Sequence, residues 1–227
     1  MTASETIQPT SRTTLHRLPK RGEFSREAIE AILDEALVCH IAYIHEGRPF
    51  MVPTGFARDG RWLYFHGARG NRTLRALLEG EACISVTLLD GLVLARSAFH
   101  HSMNYRSVVL FATAEEITDP SEKIHAMRCV VEHIVPGRWE QARQPNDKEI
   151  DATLMVRVPI EECSAKVRTG PPIDDEPDMN LGIWAGVIPA RMEWGPPIAD
   201  PQLPAALEPP ANVSGYRRPY GGHGPIG

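Results

Sequence analysis

The sequence predicts a mainly β protein: an antiparallel, closed or partly closed β-barrel with peripheral helices. Three observations carry this. Short apolar runs are separated by turn pairs such as His45-Glu46-Gly47-Arg48 and Asp59-Gly60. No strand–helix–strand alternation runs through the chain, so a parallel sheet is not expected. Strands this short would also leave open edges unless the sheet closes on itself.

Residues up to about Gly22 read as an extended arm. Ser25 is a plausible N-cap, and Ala28, Ile29, Ile32, Leu33, Ala36 and Leu37 recur at helical spacing. Strand chemistry follows from Val38 to Ile44 and from Pro49 to Arg58. Pro53 lies inside the second run, where a missing donor marks a bulge or a ligand-facing edge. Asp59-Gly60 turns the chain into Arg61 to His66, completing a three-stranded meander. A helix follows with Leu74, Leu77 and Leu78 on one face and Asn71 as its cap.

The fourth strand is Ala82 to Leu89, with a turn at Asp90-Gly91 and an apolar run from Leu92 to Ala95. After an insert from Arg96 to Arg106, another strand runs from Ser107 to Ala114. Ser121 is expected to cap a helix bearing Ile124, Met127, Cys129, Val130 and Ile134, stopped by Pro136-Gly137. A short polar helix spans Asn146 to Asp151, and a strand spans Thr153 to Pro159. Ile160 to Arg168 is broken by Thr169-Gly170-Pro171-Pro172. Trp184 to Pro189 is the last apolar run, with Arg191 to Trp194 as its extension. The expected organisation is an arm (1–22), a barrel domain (23–194) and a Pro/Gly-rich tail (195–227), irregular and disordered near its end.

Composition narrows the classes. The 227 residues are 42% hydrophobic and 23% charged, ordinary for a globular protein. A formal net charge of -5 gives no global signal for nucleic acid or an anionic membrane. No apolar run is long enough to span a bilayer, and the first residues lack a secretory core. Cys39, Cys83, Cys129 and Cys163 are widely spaced, which argues for free thiols in a reducing, cytoplasmic setting. There is no H-x-x-x-H or C-x-x-C, so no metal site is expected.

Two places concentrate chemistry. The insert carries Arg96, Ser97, His100, His101, Ser102, Asn104, Tyr105 and Arg106, more directional donors than a connection needs. His66 to Arg72 places a Gly-bearing loop and two arginines, Arg69 and Arg72, at the mouth of a helix. Free N–H groups there, with a nearby guanidinium, suit a phosphate.

The stretch from Val38 to Leu77 resembles the opening of the FMN-binding split β-barrels, the pyridoxamine 5′-phosphate oxidase superfamily, and its nitroimidazole-resistance-like branch. Val52-Pro53-Thr54, His66 to Arg72 and Ser97 to Val109 carry the resemblance. Lys166 to Pro172 and Trp184 to Pro189 look like the close of the same subgroup. The resemblance implies FMN at a homodimer interface. Arg72 would take the phosphate with Asn71 beside it, and His66, Gly67 and Ala68 would follow the ribityl path. Pro53 and Thr54 would address the ring edge, and Asn104, Tyr105, Arg106 and Ser107 would add further contacts. It implies an FMN-dependent oxidoreductase acting on a small molecule, nitroaromatic reduction being the family example. Apart from the resemblance, His101 is the preferred substrate-side proton donor, since imidazole chemistry suits neutral pH. Two alternatives remain: a flavin-binding protein without turnover, and a haem-binding or haem-degrading split barrel using His40, His66, His100 or His101. Pyridoxamine phosphate oxidases close their substrate site with basic and aromatic residues near the C-terminus, and that signature cannot be placed in the Pro/Gly-rich end of this sequence.

Overall fold

The computed structural model describes residues 5–204, 207–219 and 221. In chain order the elements are β1 (Gly22–Glu23), α1 (Arg26–Glu35), β2 (Val38–His45), β3 (Arg48–Gly55), β4 (Ala57–Asp59), β5 (Trp62–Ala68) and α2 (Arg72–Glu79). There follow β6 (Ala82–Leu94), β7 (Ser102–Ala112), β8 (Glu115–Glu116), α3 (Pro120–Ile134), α4 (Asp147–Ala152), β9 (Thr153–Pro159), β10 (Glu162–Arg168), β11 (Gly186–Pro189) and α5 (Ala211–Ser214).

The strands make two antiparallel sheets. The larger runs β1-β10-β7-β6-β2-β3, with β11 joined to β6. The smaller runs β4-β5-β9-β8. One core lies between them: Ile41, Ile84 and Leu110 from the large sheet meet Leu63, Phe65 and Val156 from the small one, with Ile29 and Leu33 of α1 at one end. A second, smaller cluster of Ala57, Tyr64, Ile117, Ala126, Val130 and Met155 sits under α3. This is the antiparallel split barrel that the sequence implied.

Local chemistry sets the helix starts. Ser25 Oγ accepts from the Ala28 N–H, and Asn71 Oδ1 from the Leu74 N–H. Asn146 and Glu149 form a reciprocal capping box on α4. The α3 cap is Asp119 rather than Ser121: Asp119 Oδ1 accepts from the Glu122 N–H, Pro120 takes the first helical position, and Ser121 only donates to Asp119.

Four other expectations are corrected. The meander divides at Phe56, which is buried against Phe65 and His133, so β3 and β4 belong to different sheets. Asp90 is a bulge inside one long strand, not a turn; the pairing with β7 shifts between Leu89 and Gly91 and then continues. Half of the expected insert, Ser102 to Arg106, is strand β7, so its side chains alternate between faces. Arg191 to Trp194 adds no strand.

Segments near both termini pack on the barrel. Ile7 is buried, and Arg12 bridges Glu81 and Glu162. In the tail, Arg218 donates to the backbone carbonyls of Asp34, Glu35 and Ala36 at the end of α1 and of His133 at the end of α3. A cation there complements the helix C-termini. The disorder expected at the very end falls on 222–227, outside the described residues.

Candidate functional site

The mouth of α2 is built as a cradle. The Asn71 N–H donates to Ala68 O at 2.8 Å, closing the Gly-bearing loop onto the helix. Gly67 is required by this packing: a Cβ there would lie 2.8 Å from Asn71 Nδ2. Arg72 lies in the first turn with its guanidinium over the Phe50 ring at 4.6 Å, and Phe50 in turn stacks on Tyr43 at 5.7 Å. The Tyr43 hydroxyl is 3.2 Å from Thr73 Oγ1. Among the described residues no carboxylate pairs with Arg72, which is exposed. Arg69 instead donates to Asp151 O at the end of α4.

His66, Gly67 and Ala68 lead to this mouth along β5, opposite Met155, Leu154 and Thr153. The His66 ring reaches solvent but is crowded by protein, which pushes its pKa below the ordinary imidazole value and keeps it neutral at pH 7. Pro53 and Thr54 lie on β3, the end strand of the large sheet. Pro53 is exposed opposite His40; Thr54 points the other way and is half-buried.

The insert is organised by Asp174. Its fully buried carboxylate accepts from the Arg96 and Ser97 N–H groups and from Arg96 Nη1. Burial alone would raise its pKa; those N–H bonds and the Arg96 charge outweigh it and hold the carboxyl below its usual range. Ser97 caps the short turn Ala98–His100. His100 Nε2 is 3.2 Å from Asp175, while His101 Nδ1 is 3.1 Å from Ser97 O. With Nδ1 protonated toward that carbonyl, Nε2 of His101 is left as an acceptor. Phe99 beside them is 89% exposed.

Three expected cofactor contacts are engaged elsewhere. The buried Arg106 side chain is held by Asp90 (2.8 and 2.9 Å) and by Glu35 (2.5 and 2.9 Å). Burial disfavours its charge, but the two carboxylates outweigh that and raise its pKa. Asn104 is buried, donates to Gly170 O at 3.1 Å and accepts from Arg168. Ser107 Oγ donates to Lys166 O at 3.3 Å. Tyr105, opposite Leu89 and Arg168 in the sheet, is half-buried.

Sequence reasoning missed Arg168, which it read only as a strand end. Arg168 is 6% exposed, and its hydrogen-bond partners among the described residues are neutral: Asn104, Gly170 O and Pro171 O. Burial and the neighbouring Arg21 lower its pKa. Among the described residues no carboxylate offsets this charge, a strong reason to look for an anion beside it.

The model of the pyridoxamine 5′-phosphate oxidase family matches residues 25–167. No curated protein matches the sequence. Among solved structures, the flavocytochrome Anf3 from Azotobacter vinelandii is 40% identical, with a TM-score of 0.89, over 94% of this chain and 100% of its own. The FAD and haem binding protein from Mycobacterium smegmatis is 37% identical, with a TM-score of 0.83, over 87% of this chain and 98% of its own. A 5-nitroimidazole antibiotic resistance protein from Bacteroides thetaiotaomicron shares the fold at 24% identity and a TM-score of 0.55, over 64% and 86%. The family matched spans both sheets, the α2 mouth and the β6–β7 hairpin, and on this evidence the chain belongs to the pyridoxamine 5′-phosphate oxidase family.

Proposed function

We propose that the protein is a flavin-binding oxidoreductase acting on a small molecule, with the flavin phosphate held at Arg72. The observation that carries this is the Arg72 guanidinium: it is pre-positioned over Phe50 in the first turn of α2 and is not neutralised by any carboxylate among the described residues. The donor set fits an anion, because the free α2 N–H groups and Arg72 converge there while the chain as a whole is acidic. The riboflavin phosphate portion common to FMN and FAD meets this requirement. Arg168 offers a second positive point, suited to a further anionic group. A bound flavin supplies the electron-transfer chemistry, and the chain supplies position and charge.

A second cofactor, haem, is favoured by His66 and His101. An axial ligand must be a neutral imidazole with a free nitrogen. His66 is kept neutral, and His101 turns Nδ1 to Ser97 O, which leaves Nε2 free for a metal. His100 is tied to Asp175. Two relatives at 40% and 37% identity are described as a flavocytochrome and as an FAD and haem binding protein. His101 as a substrate-side proton donor is the competing role for that residue.

The uncovered face of the large sheet is the proposed homodimer interface. Val38, Ile44, Met51 and Leu89 are 49–66% exposed on it, a density of apolar groups that suits an obligate contact. Four free cysteines suit a cytoplasmic location.

The test is a visible spectrum of the purified protein with mass analysis of the released cofactors. Flavin bands, and their anaerobic bleaching by a nicotinamide donor, are expected. A Soret band that disappears in His66→Ala or His101→Ala, but survives in His40→Ala and His100→Ala, is expected for the haem. A colourless protein that takes up neither cofactor overturns the proposal.

A further inference from the structure

Beneath α3, on the outer side of the small sheet, three side chains that play no part in the flavin cradle converge. His125 and Cys129 are four residues apart on α3, a spacing that stacks them on one helical face. Asp59 comes from the β4–β5 hairpin, 66 positions away. His125 Nε2 is 2.9 Å from Asp59 Oδ2 and 3.5 Å from Cys129 Sγ, and the three ligand atoms all lie within 4.8 Å of one another.

The geometry points to a zinc-class divalent cation site formed by Asp59, His125 and Cys129, with an open fourth position. Tetrahedral zinc, with bonds of about 2.0 Å to nitrogen and about 2.3 Å to sulfur, places those two ligands about 3.5 Å apart. The His125–Cys129 separation already has that value. The oxygen, nitrogen and sulfur donors together suit zinc better than calcium or magnesium.

Two surrounding features support the site. The hairpin carrying Asp59 is braced, because Arg58 grips Asp34 with two bonds of 2.6 Å and donates to Gly60 O at 2.8 Å. A fixed carboxylate loses little freedom on binding an ion. A cavity of about 250 Å³ opens beside His125, lined by Tyr64, Ile117, Ser121, Glu122 and Arg157. His125 and Asp59 are themselves half-exposed, so an ion and a fourth ligand reach the site from solvent. Tyr64 meets the His125 ring edge-on at 6.3 Å and fixes its plane. Zinc binds the thiolate form of Cys129, so the thiol proton is released as the sulfur–metal bond forms.

The sequence search missed the site because it looked for H-x-x-x-H and C-x-x-C. Here the spacing is H-x-x-x-C, and the third ligand is brought by the fold.

The experiment uses the full chain with its cofactors bound. Zn²⁺ is titrated in competition with a chromophoric chelator, and alkylation of each cysteine by iodoacetamide is followed by peptide mass spectrometry. The expected result is one equivalent bound, with Zn²⁺ slowing Cys129 alkylation at least about tenfold and leaving the other cysteines unchanged. Cys129→Ser, at a half-buried position, and His125→Ala, at an exposed one, should weaken binding by at least about tenfold. Their melting temperatures without zinc should match wild type, and only wild type should gain on zinc addition. The proposal is overturned if Zn²⁺ leaves Cys129 alkylation unaltered, a result that needs no variant, or if the variants bind zinc as wild type does.

Discussion

Arg106 and Glu35 form a bidentate pair between β7 and α1, with Nη1 to Oε2 at 2.5 Å and Nη2 to Oε1 at 2.9 Å, side chains 8% and 12% exposed. Asp90, on the β6 bulge, completes the group from the other side. This cluster ties the first helix to the large sheet. Arg106→Ala should therefore act on stability, because it leaves two largely buried carboxylates facing each other. The expected cost is about 3–5 kcal/mol, roughly 6–20 °C in melting temperature. Chemical denaturation of Arg106→Ala beside Arg69→Ala checks this; equal stability of the two would contradict the assignment.

That pair also shows where sequence reading stops. Donor density in the stretch from Arg96 to Arg106 was visible, but Glu35 lies 71 positions away and Asp90 lies 16. Nothing local says that carboxylates reach Arg106 before a ligand does. Caps at Ser25 and Asn71 were legible because their partners are three residues away. The strand Thr153–Pro159 was read with its observed bounds, since apolar alternation and turn residues are local signals. The break at Phe56 was not legible: an apolar residue in an apolar run marks a sheet change only through its packing on Phe65 and His133. Arg168 went unread as a cation of the site because burial without a counter-charge is a tertiary property.

Acid should loosen the C-terminal tail. His133 Nε2 lies 2.8 Å from Arg218 Nη2 and 2.7 Å from Ala36 O, and its folded-state pKa lies below the ordinary value of about 6.5. Burial is the main cause; the Arg218 and Arg58 charges add to it, while the Ala36 carbonyl and Asp34 oppose it. A depressed pKa means the unfolded or released form binds the extra proton more readily. The contribution is thus present above about pH 6.5 and is lost as pH falls through the folded-state value. Limited proteolysis at Arg217 and Arg218 should accelerate below that pH, and His133→Gln should flatten the profile. Cleavage rates independent of pH in wild type, after correction for the protease's own profile, would contradict the clasp.

Gly67→Ala should damage the cradle without emptying the core. Its Cβ would meet Asn71 Nδ2 at 2.8 Å and Leu74 Cδ1 at 3.2 Å, displacing the α2 cap. Loss of such a cap costs about 1 kcal/mol. Flavin affinity should fall together with stability, measured by fluorescence titration and thermal melting. Unchanged values for both would mean that Asn71 is not held in place by Gly67.

Met51→Glu tests the dimer face. Met51 is 66% exposed at the centre of the apolar surface of β2 and β3, opposite Ala42. A buried, unpaired carboxylate at a dimer contact should shift the protein to a monomer and weaken flavin retention. Light scattering after size exclusion reads the mass. A wild-type protein that is monomeric with flavin bound removes the homodimer proposal altogether.

The central claim is that Arg72 holds the flavin phosphate. Its most direct test is a flavin titration of wild type, Arg72→Ala and Arg69→Ala, with riboflavin as the phosphate-free competitor. A charge-assisted bond of about 1.5–3 kcal/mol predicts a roughly 10- to 150-fold loss of affinity in Arg72→Ala. Arg69→Ala, whose side chain is engaged with Asp151 O, should bind as wild type does, and riboflavin should compete poorly. Wild-type affinity in Arg72→Ala, or riboflavin competing as well as the phosphorylated flavin, would contradict the account.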